Sequence, residues 1–252
     1  MTYLKSLQNQ VEERVLPLVT NSPTTWTKPD GTPVSSVDLA VQAELITMIT
    51  EHYRDHRILY EEGEPQHSSK TSDFTWVIDP IDGTANFLEG KKEYSIAIGL
   101  MKGNEFLESL VLFPASGESF YAATGEGVYR NWEKMPIPKP DPEEKEIIFC
   151  SRTYPRAQNR MVTYTPTFYR CATYSLLRVL TGQALAFLAA NTMLYDVGSI
   201  SHIASEVGIE CLSGVNQTIQ YRPTLERIPI FLAVSPIVSQ KLRYQILNCA
   251  QT

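Results

Sequence analysis

The run Trp76-Val77-Ile78 passes directly into Asp79-Pro80-Ile81-Asp82-Gly83-Thr84-Ala85-Asn86-Phe87, and no other stretch restricts the chain as much. The apolar lead-in reads as a buried strand. Two carboxylates then stand three positions apart with a proline between them. Gly83-Thr84 follows, where the backbone can turn and present N–H groups. Acid, acid, then exposed amides suits divalent cations held beside a phosphate. Paired Mg2+-class ions about 3.5–4 Å apart clamp the attacking and leaving oxygens of an in-line displacement. Each takes only one or two carboxylates, completing its shell with water and substrate phosphate. Asp79, at the strand end, is placed to bridge two ions; Pro80 stiffens the turn through its fixed φ; Asp82 is carried to the far side of the pair. Gly83 admits a phosphate close to the backbone, and a helix starting near Thr84 would turn free N–H groups toward an anion. Asp-Pro and Asp-Gly are also ordinary turn signals, so a lone copy of this motif is more often a surface turn. The apolar lead-in and Thr84 add weight to the metal reading, and the rest of the chain decides.

At 252 residues the chain suffices for one large domain or two small ones. A formal net charge of −6 argues against non-specific nucleic-acid binding. It is also the wrong sign for an anionic substrate unless bound cations reverse it locally. Cys150, Cys171, Cys211 and Cys249 are scattered, with neither zinc spacing nor a disulfide framework, which fits reduced thiols in a cytoplasmic protein. The N-terminus lacks the apolar core of a signal peptide. The longest apolar run, Ile228 to Val238, is interrupted by Pro229 and Pro236 and is too short to span a bilayer. The expectation is a protein without membrane contact.

Leu4, Leu7, Val11, Val15 and Leu18 predict a first amphipathic helix, ended or kinked by Pro17. Residues 21–33 read as a loop in which Lys28 is a solvated side chain. Ser35 or Ser36 caps a second helix lined by Val37, Val41, Leu45 and Met48. Arg57 to Tyr60 is a short strand leading to Glu61-Glu62-Gly63, and residues 65–73 form a polar, mobile segment. After the central motif, Tyr94 to Met101 and Phe106 to Phe113 form a hairpin, with further antiparallel strands at Ser119 to Ala123 and Gly127 to Arg130. Trp132 to Glu146, with four prolines, is the best boundary. It divides the chain into 1–140, an α+β half, and 141–252, an α/β half. Beyond it come a strand at Ile147 to Cys150, a segment from Tyr174 to Leu188 that begins as a helix with Gly182 as a possible stop, and a helix from Val197 closed by Gly208. A buried strand from Ile228 to Val234 and a last helix opened by Ser235-Pro236 complete the chain.

Single acids are ambiguous. Asp38 lies in a helical first turn, where the dipole favours it, and on its own reads as structural. Asp196 is a plain N-terminal cap, or a site residue that ends a strand and starts a helix. Glu61-Glu62 is a solvated loop or, at a strand's C-terminal edge, a site. Four carboxylates at element ends, Glu61, Asp79, Asp82 and Asp196, are harder to dismiss together. His52, His56 and His67 fall in surface-like stretches and His202 in a helix, so no histidine offers itself as a nucleophile.

With these residues collected, the chain resembles the inositol monophosphatase family of Mg2+-dependent, Li+-sensitive phosphatases. The resemblance is carried by Asp79 to Phe87, Glu61-Glu62, Tyr195-Asp196-Val197 and Val34 to Asp38, and extends from about Leu4 to Leu247. It implies a layered αβαβα sandwich, usually a homodimer. Two to three Mg2+ ions would be held by Glu61, Asp79, Asp82, Asp196 and the Ile81 carbonyl. The Gly83 and Thr84 amides would take the phosphate, with Asp82 and Asp196 beside the substrate. The Thr84 hydroxyl, polarised by Asp38, would orient the attacking water with help from Glu61. Asp38 becomes catalytic only through the resemblance. The implied activity is hydrolysis of a small phosphorylated metabolite, a phosphoric monoester, by metal-activated water.

Three positions depart from the family pattern. Tyr60 stands where the family has glycine, Ala189 where an acid grips inositol hydroxyls, and Arg170-Cys171 where a small Gly-Thr segment contacts inositol. Alternatives therefore stay open: a phosphatase specific for a bisphosphate (fructose 1,6-bisphosphate or a 3′-phosphoadenosine nucleotide), a histidinol phosphatase, or a regulatory protein on a phosphatase scaffold that partners RNA polymerase or another assembly. Arg170 is either a contact for a second anionic group or a surface arginine.

Overall fold

The computed structural model describes residues 3–63, 72–139 and 141–250. Helix α1 (Tyr3–Gln10) tightens and loosens by turns: a π turn over Val11–Val15 is followed by a 3-10 turn over Leu16–Thr20, with Pro17 at its start. Strands β1 (Thr25–Thr27) and β2 (Pro33–Ser35) pair antiparallel within the stretch expected to be a loop. Helix α2 (Ser36–His52) begins at an N-cap on Ser35, closed by a capping box with Asp38.

Strands β3 (Arg57–Tyr60) and β4 (Phe74–Asp82) run parallel. Helix α3 (Thr84–Leu88) follows the motif. Strands β5 (Ser95–Lys102), β6 (Glu105–Phe113), β7 (Glu118–Ala123), β8 (Gly127–Arg130) and β9 (Glu133–Lys134) extend the sheet as an antiparallel meander, giving seven strands in chain order.

The second sheet starts with β10 (Glu146–Phe149), followed by α4 (Tyr154–Arg160), β11 (Thr165–Thr167), α5 (Ala172–Leu180) and β12 (Ala186–Thr192). Helix α6 (Leu194–Ser205), β13 (Glu210–Leu212), β14 (Ile228–Val234) and α7 (Gln240–Leu247) complete it. Its strand order is β11-β10-β12-β14-β13, with β10 parallel to β12 and β14 antiparallel to it.

Side-chain alternation along the strands sorts the apolar residues into three layers of core. Trp76, Ile78, Ile96 and Ile98 face α1 and α2. Ala97, Val111 and Phe113 point to the opposite side, where they meet α5, α6 and the inner face of the second sheet (Ile148, Phe187, Phe231). The outer face of that sheet, Ile147, Phe149, Leu188 and Leu232, is covered by Ala157 and Met161 near α4 and by Leu242 and Ile246 of α7. The result is helix, sheet, helix, sheet, helix: the expected αβαβα sandwich. Each fully buried large side chain contributes about 1.5–3 kcal/mol, so the central helical layer is secured from both sides. Its approach to β5 depends on two glycines. A Cβ on Gly99 or on Gly198 would lie 2.6 Å from the Phe106 ring.

Several expectations are corrected. The last helix is capped by Ser239, not Ser235: Ser239 Oγ accepts from Leu242 N at 3.3 Å, whereas the buried Ser235 Oγ has no partner among the described residues and Ser235 O closes only a single turn with Val238 N at 3.0 Å. Helical character after Tyr174 ends at Gly182, whose φ is +77°, and Ala186–Thr192 becomes a central strand because ladders on both sides outweigh local preference. His56 is not surface-like. It stacks on Tyr53 and Phe74, and accepts a hydrogen bond from Trp76 Nε1 at 3.1 Å. Most of the polar segment 65–73, including His67, lies outside the described residues.

Candidate active site

A cavity of about 540 Å³ opens between the two sheets. Glu61, Asp79, Ile81, Asp82, Gly83, Thr84 and Asp196 all line it, although they come from the ends of β3, β4 and α6. Asp38 sits behind this wall, fully buried.

Asp79 is the least satisfied group. It is 1% exposed, and neither carboxylate oxygen accepts a hydrogen bond from any described donor. Burial raises its pKa well above the usual carboxylate range, and the charges of Glu61, Asp82 and Asp196 push it further. Its hydrogen-bond partner is the Glu61 carboxyl, a pairing that keeps a proton on Asp79 in the absence of metal, because a buried anion without a donor is costly.

The neighbouring acids are partly compensated by protein donors. Asp82 Oδ2 accepts from Thr173 N and Thr173 Oγ1, both at 2.6 Å, and from Cys171 Sγ at 3.1 Å. Burial still raises its pKa despite these bonds. Asp196 Oδ2 accepts from Thr192 Oγ1 at 2.6 Å and Met193 N at 2.7 Å. Burial, then repulsion from Glu61, outweigh those bonds and lift its pKa to about 7. Asp196 lies in the first turn of a helix, α6, as expected, but it does not end a strand, since β12 stops at Thr192.

Glu61 is held by Lys28, the residue expected to be a solvated loop lysine. Its Nζ lies 2.7 Å from Glu61 Oε1 and 2.7 Å from Glu62 Oε1. Burial opposes the ammonium charge, but attraction and hydrogen bonding to the two acids prevail and raise its pKa. Burial is also the main reason the Glu61 carboxyl is raised, with Lys28 acting against it. Gln42 of α2 fixes the acid pair from behind: Nε2 donates to Glu62 O at 2.6 Å, and Oε1 accepts from Glu62 N at 2.9 Å. With Asp82, Asp196 and Glu61 turned to these donors, no three His, Cys, Asp or Glu side chains among the described residues converge as a ready metal cage.

Thr84 and Asp38 form a second arrangement. Thr84 Oγ1 donates to Asp38 Oδ1 at 2.8 Å and lies 3.0 Å from Ile81 O. With its proton directed away, the hydroxyl can accept one from the cavity. Gly83, the N-cap of α3, has φ +86°, and a Cβ there would meet Glu93 O at 2.8 Å. The first N–H groups of α3 have no intrahelical acceptor.

The structure thus brings every predicted site residue to one cavity, or directly behind it for Asp38. Sequence reasoning missed Lys28, Gln42 and Thr173. Lys28 sits in a Pro- and Gly-containing loop without periodicity, and Gln42 and Thr173 look like ordinary helical polar residues. Hydroxyls near a helix start close to Cys171 were the one available signal for Thr173.

Comparison with known proteins agrees with the geometry. The sequence profile of the inositol monophosphatase family matches residues 4–242. The inositol-1-monophosphatase of Bacillus subtilis is 27% identical over 201 residues, covering 75% of this chain and 74% of that protein. Nus factor SuhB of Haemophilus influenzae is 40% identical over 104 residues, 41% of this chain and 39% of its own length. The alignment therefore spans about two fifths of that relative. Among solved structures, an IMPase/NADP phosphatase complexed with Mg2+ and phosphate superposes with a TM-score of 0.82 at 22% identity, covering 97% of this chain and 93% of the other. That likeness establishes the fold.

Proposed function

This chain belongs to the inositol monophosphatase family, a phosphatase family, and from that premise we propose that it is a Mg2+-dependent hydrolase of a small phosphorylated metabolite, acting with a water nucleophile. One observation carries the proposal: neither oxygen of the fully buried Asp79 carboxyl accepts from an amide, hydroxyl or cation among the described residues, and its hydrogen-bond partner is another acid, Glu61, with Asp82 and Asp196 also close. Divalent cations would relieve that excess of charge, and oxygen-only ligands suit Mg2+. The fold neighbour complexed with Mg2+ and phosphate supports the same assignment. Glu61, Asp79, Asp82, Asp196 and the Ile81 carbonyl would hold two to three ions. Bound Mg2+ supplies Lewis-acid charge to the phosphoryl oxygens and the leaving oxygen.

The protein's own groups do the rest. The Gly83 and Thr84 amides receive the phosphate. The Thr84 hydroxyl, its proton committed to Asp38, accepts a hydrogen bond from the water and orients it for in-line attack. Asp38 is a positioning residue. Lys28 would yield Glu61 to a bound ion, and Gln42 keeps the Glu61-Glu62 backbone in place. The substrate is open among inositol monophosphate, a bisphosphate, a nucleotide 3′-phosphate and histidinol phosphate. A cytoplasmic homodimer is part of the same reading; four free cysteines support a reducing compartment, and among the described residues no helix is long and apolar enough to cross a membrane. The test is phosphate release from a panel of these esters with and without Mg2+. Turnover of at least one, abolished by chelation and by Asp82→Asn, is expected; full activity in that variant ends the proposal.

The Nus factor relative supports a second reading, a regulatory binding protein on this scaffold. Recovery of one stoichiometric partner by protein that hydrolyses none of the esters favours it.

A further inference from the structure

A bulge brings the two acids of the central motif to one side of the first sheet. Asp79 pairs with Ala97 and Asp82 with Ser95, so three steps along β4 answer two along β5. The extra residue re-aims the second carboxylate. Asp82 then shares a face of the sheet with Ser95, its partner across the ladder.

On that face Asp82 meets the start of α5, 91 residues further along the chain. Its Oδ2 takes the Thr173 amide, the Thr173 hydroxyl and the Cys171 thiol. Behind them, Ser95 Oγ lies 2.5 Å from Thr173 Oγ1. Ser95 and Thr173 are fully buried and Asp82 nearly so, so the three side chains answer to one another rather than to bulk water. The helix does not need Asp82 in order to start. Cys171 is its N-cap, and Cys171 Sγ accepts from Tyr174 N at 3.4 Å.

The chemistry of these groups sets the order of the protons. An ionised carboxylate only accepts, and a hydroxyl has one proton to give. Thr173 directs its proton to Asp82, so its oxygen is free to accept, and the Ser95 hydroxyl is the donor in reach. The chain runs from Ser95 to Thr173 to Asp82 Oδ2. Among the described residues no hydroxyl or thiol donates to Oδ1. One oxygen of Asp82 is thus pinned, and the other is left to the cavity that Asp82 lines.

We propose that Ser95 and Thr173 are positioning residues whose hydroxyl relay fixes Asp82 as a one-oxygen metal ligand. Groups that hold a ligating carboxylate from behind set its direction and its affinity for the ion. The proposal rests on the phosphatase reading and deepens it, adding to the metal centre two uncharged residues that touch no ion themselves.

The test titrates Mg2+ calorimetrically into the full chain and its variants, with the melting temperature in chelator reporting the fold. Thr173→Val keeps the shape and the backbone donor but removes the hydroxyl, and should weaken Mg2+ binding by about 10–100-fold. Thr173→Ser should bind as the parent protein does. Ser95→Ala should weaken binding in the same direction by less, and it decides the matter if Thr173→Val does not fold. The double variant Ser95→Ala/Thr173→Val should bind no more weakly than Thr173→Val alone, because Ser95 acts only through the Thr173 hydroxyl. Parent-like affinity in Thr173→Val or in Ser95→Ala, equal losses in Thr173→Ser and Thr173→Val, or additive losses in the double variant overturn the relay and leave the phosphatase reading standing. No saturable Mg2+ binding by the parent protein overturns the phosphatase reading, and the relay with it.

Discussion

The Thr84 hydroxyl donates to Asp38 Oδ1 at 2.8 Å across 46 residues of sequence, while the other oxygen of the same carboxylate accepts the Ser35 N–H at 2.9 Å. One side chain thus caps α2 and aims a hydroxyl into the cleft, so its two roles can be separated. In Asp38→Asn the amide keeps the shape but can no longer accept on both sides. We expect kcat to fall by about a hundredfold with KM little changed, and stability to fall by about 1 kcal/mol through the weakened cap. Steady-state kinetics and denaturant melts check the two effects. Loss of stability with unaltered kcat would leave Asp38 as a cap alone.

Lys28 holds the Glu61 carboxylate that the proposed function assigns to the metals. Replacing the lysine by methionine removes a positive charge from beside the cluster, so Mg2+ should bind about tenfold more tightly, and the metal-free protein should become less stable. Calorimetric titration of Mg2+ into Lys28→Met and the parent protein checks this. Weaker binding in the variant would mean that the ammonium helps build the site.

The acids make stability depend on pH in a defined direction. Unfolded carboxyls titrate near 4, whereas Asp196 titrates near 7 and Asp79 is raised well above its ordinary value, burial being the first cause in each. The folded, metal-free protein therefore holds more protons than the unfolded chain between these limits, and its stability falls as pH rises through about 7. Buried His202 acts the other way. Burial lowers its pKa to about 4, so its contribution grows from there to about 6.5 and is then constant. The clean window is about pH 6.5 to 8, where the melting temperature in chelator should drop. The Mg2+-induced rise should grow over the same window, because metal displaces those protons. Asp79→Asn should flatten both trends.

Glu108 is a stability determinant distant from the cleft. It is buried on β6, and its carboxylate accepts from Tyr3 N at 2.6 Å, Leu4 N at 2.8 Å and Tyr121 Oη at 3.2 Å. An anion at the start of α1 satisfies orphan donors and the dipole together. Glu108→Gln should cost about 1–2 kcal/mol without altering catalytic constants, as a chemical denaturation curve would show.

Much of this architecture is written locally. Alternating apolar residues mark the strands, and the β4 motif reads as a strand running into a turn because Trp76-Val77-Ile78 and Gly83-Thr84 each encode their own geometry. What escaped depends on distant partners. Ser235-Pro236 looks like a helix start, yet the turn it opens closes only on Val238 and the helix waits for Ser239. Lys28 looks solvated because nothing near it in sequence announces Glu61 and Glu62, 33 and 34 residues away. Asp38 looks like a cap because it is one; only the tertiary contact with Thr84 reveals its second oxygen at work.

Counting Mn2+ bound in place of Mg2+, by the loss of its free-ion paramagnetic resonance signal, tests the carboxylate cluster most directly. The account predicts two to three ions per chain for the parent protein, and an affinity lower by about a hundredfold in Asp79→Asn. Undiminished binding in that variant, or no saturable binding by the parent protein at neutral pH, would contradict it.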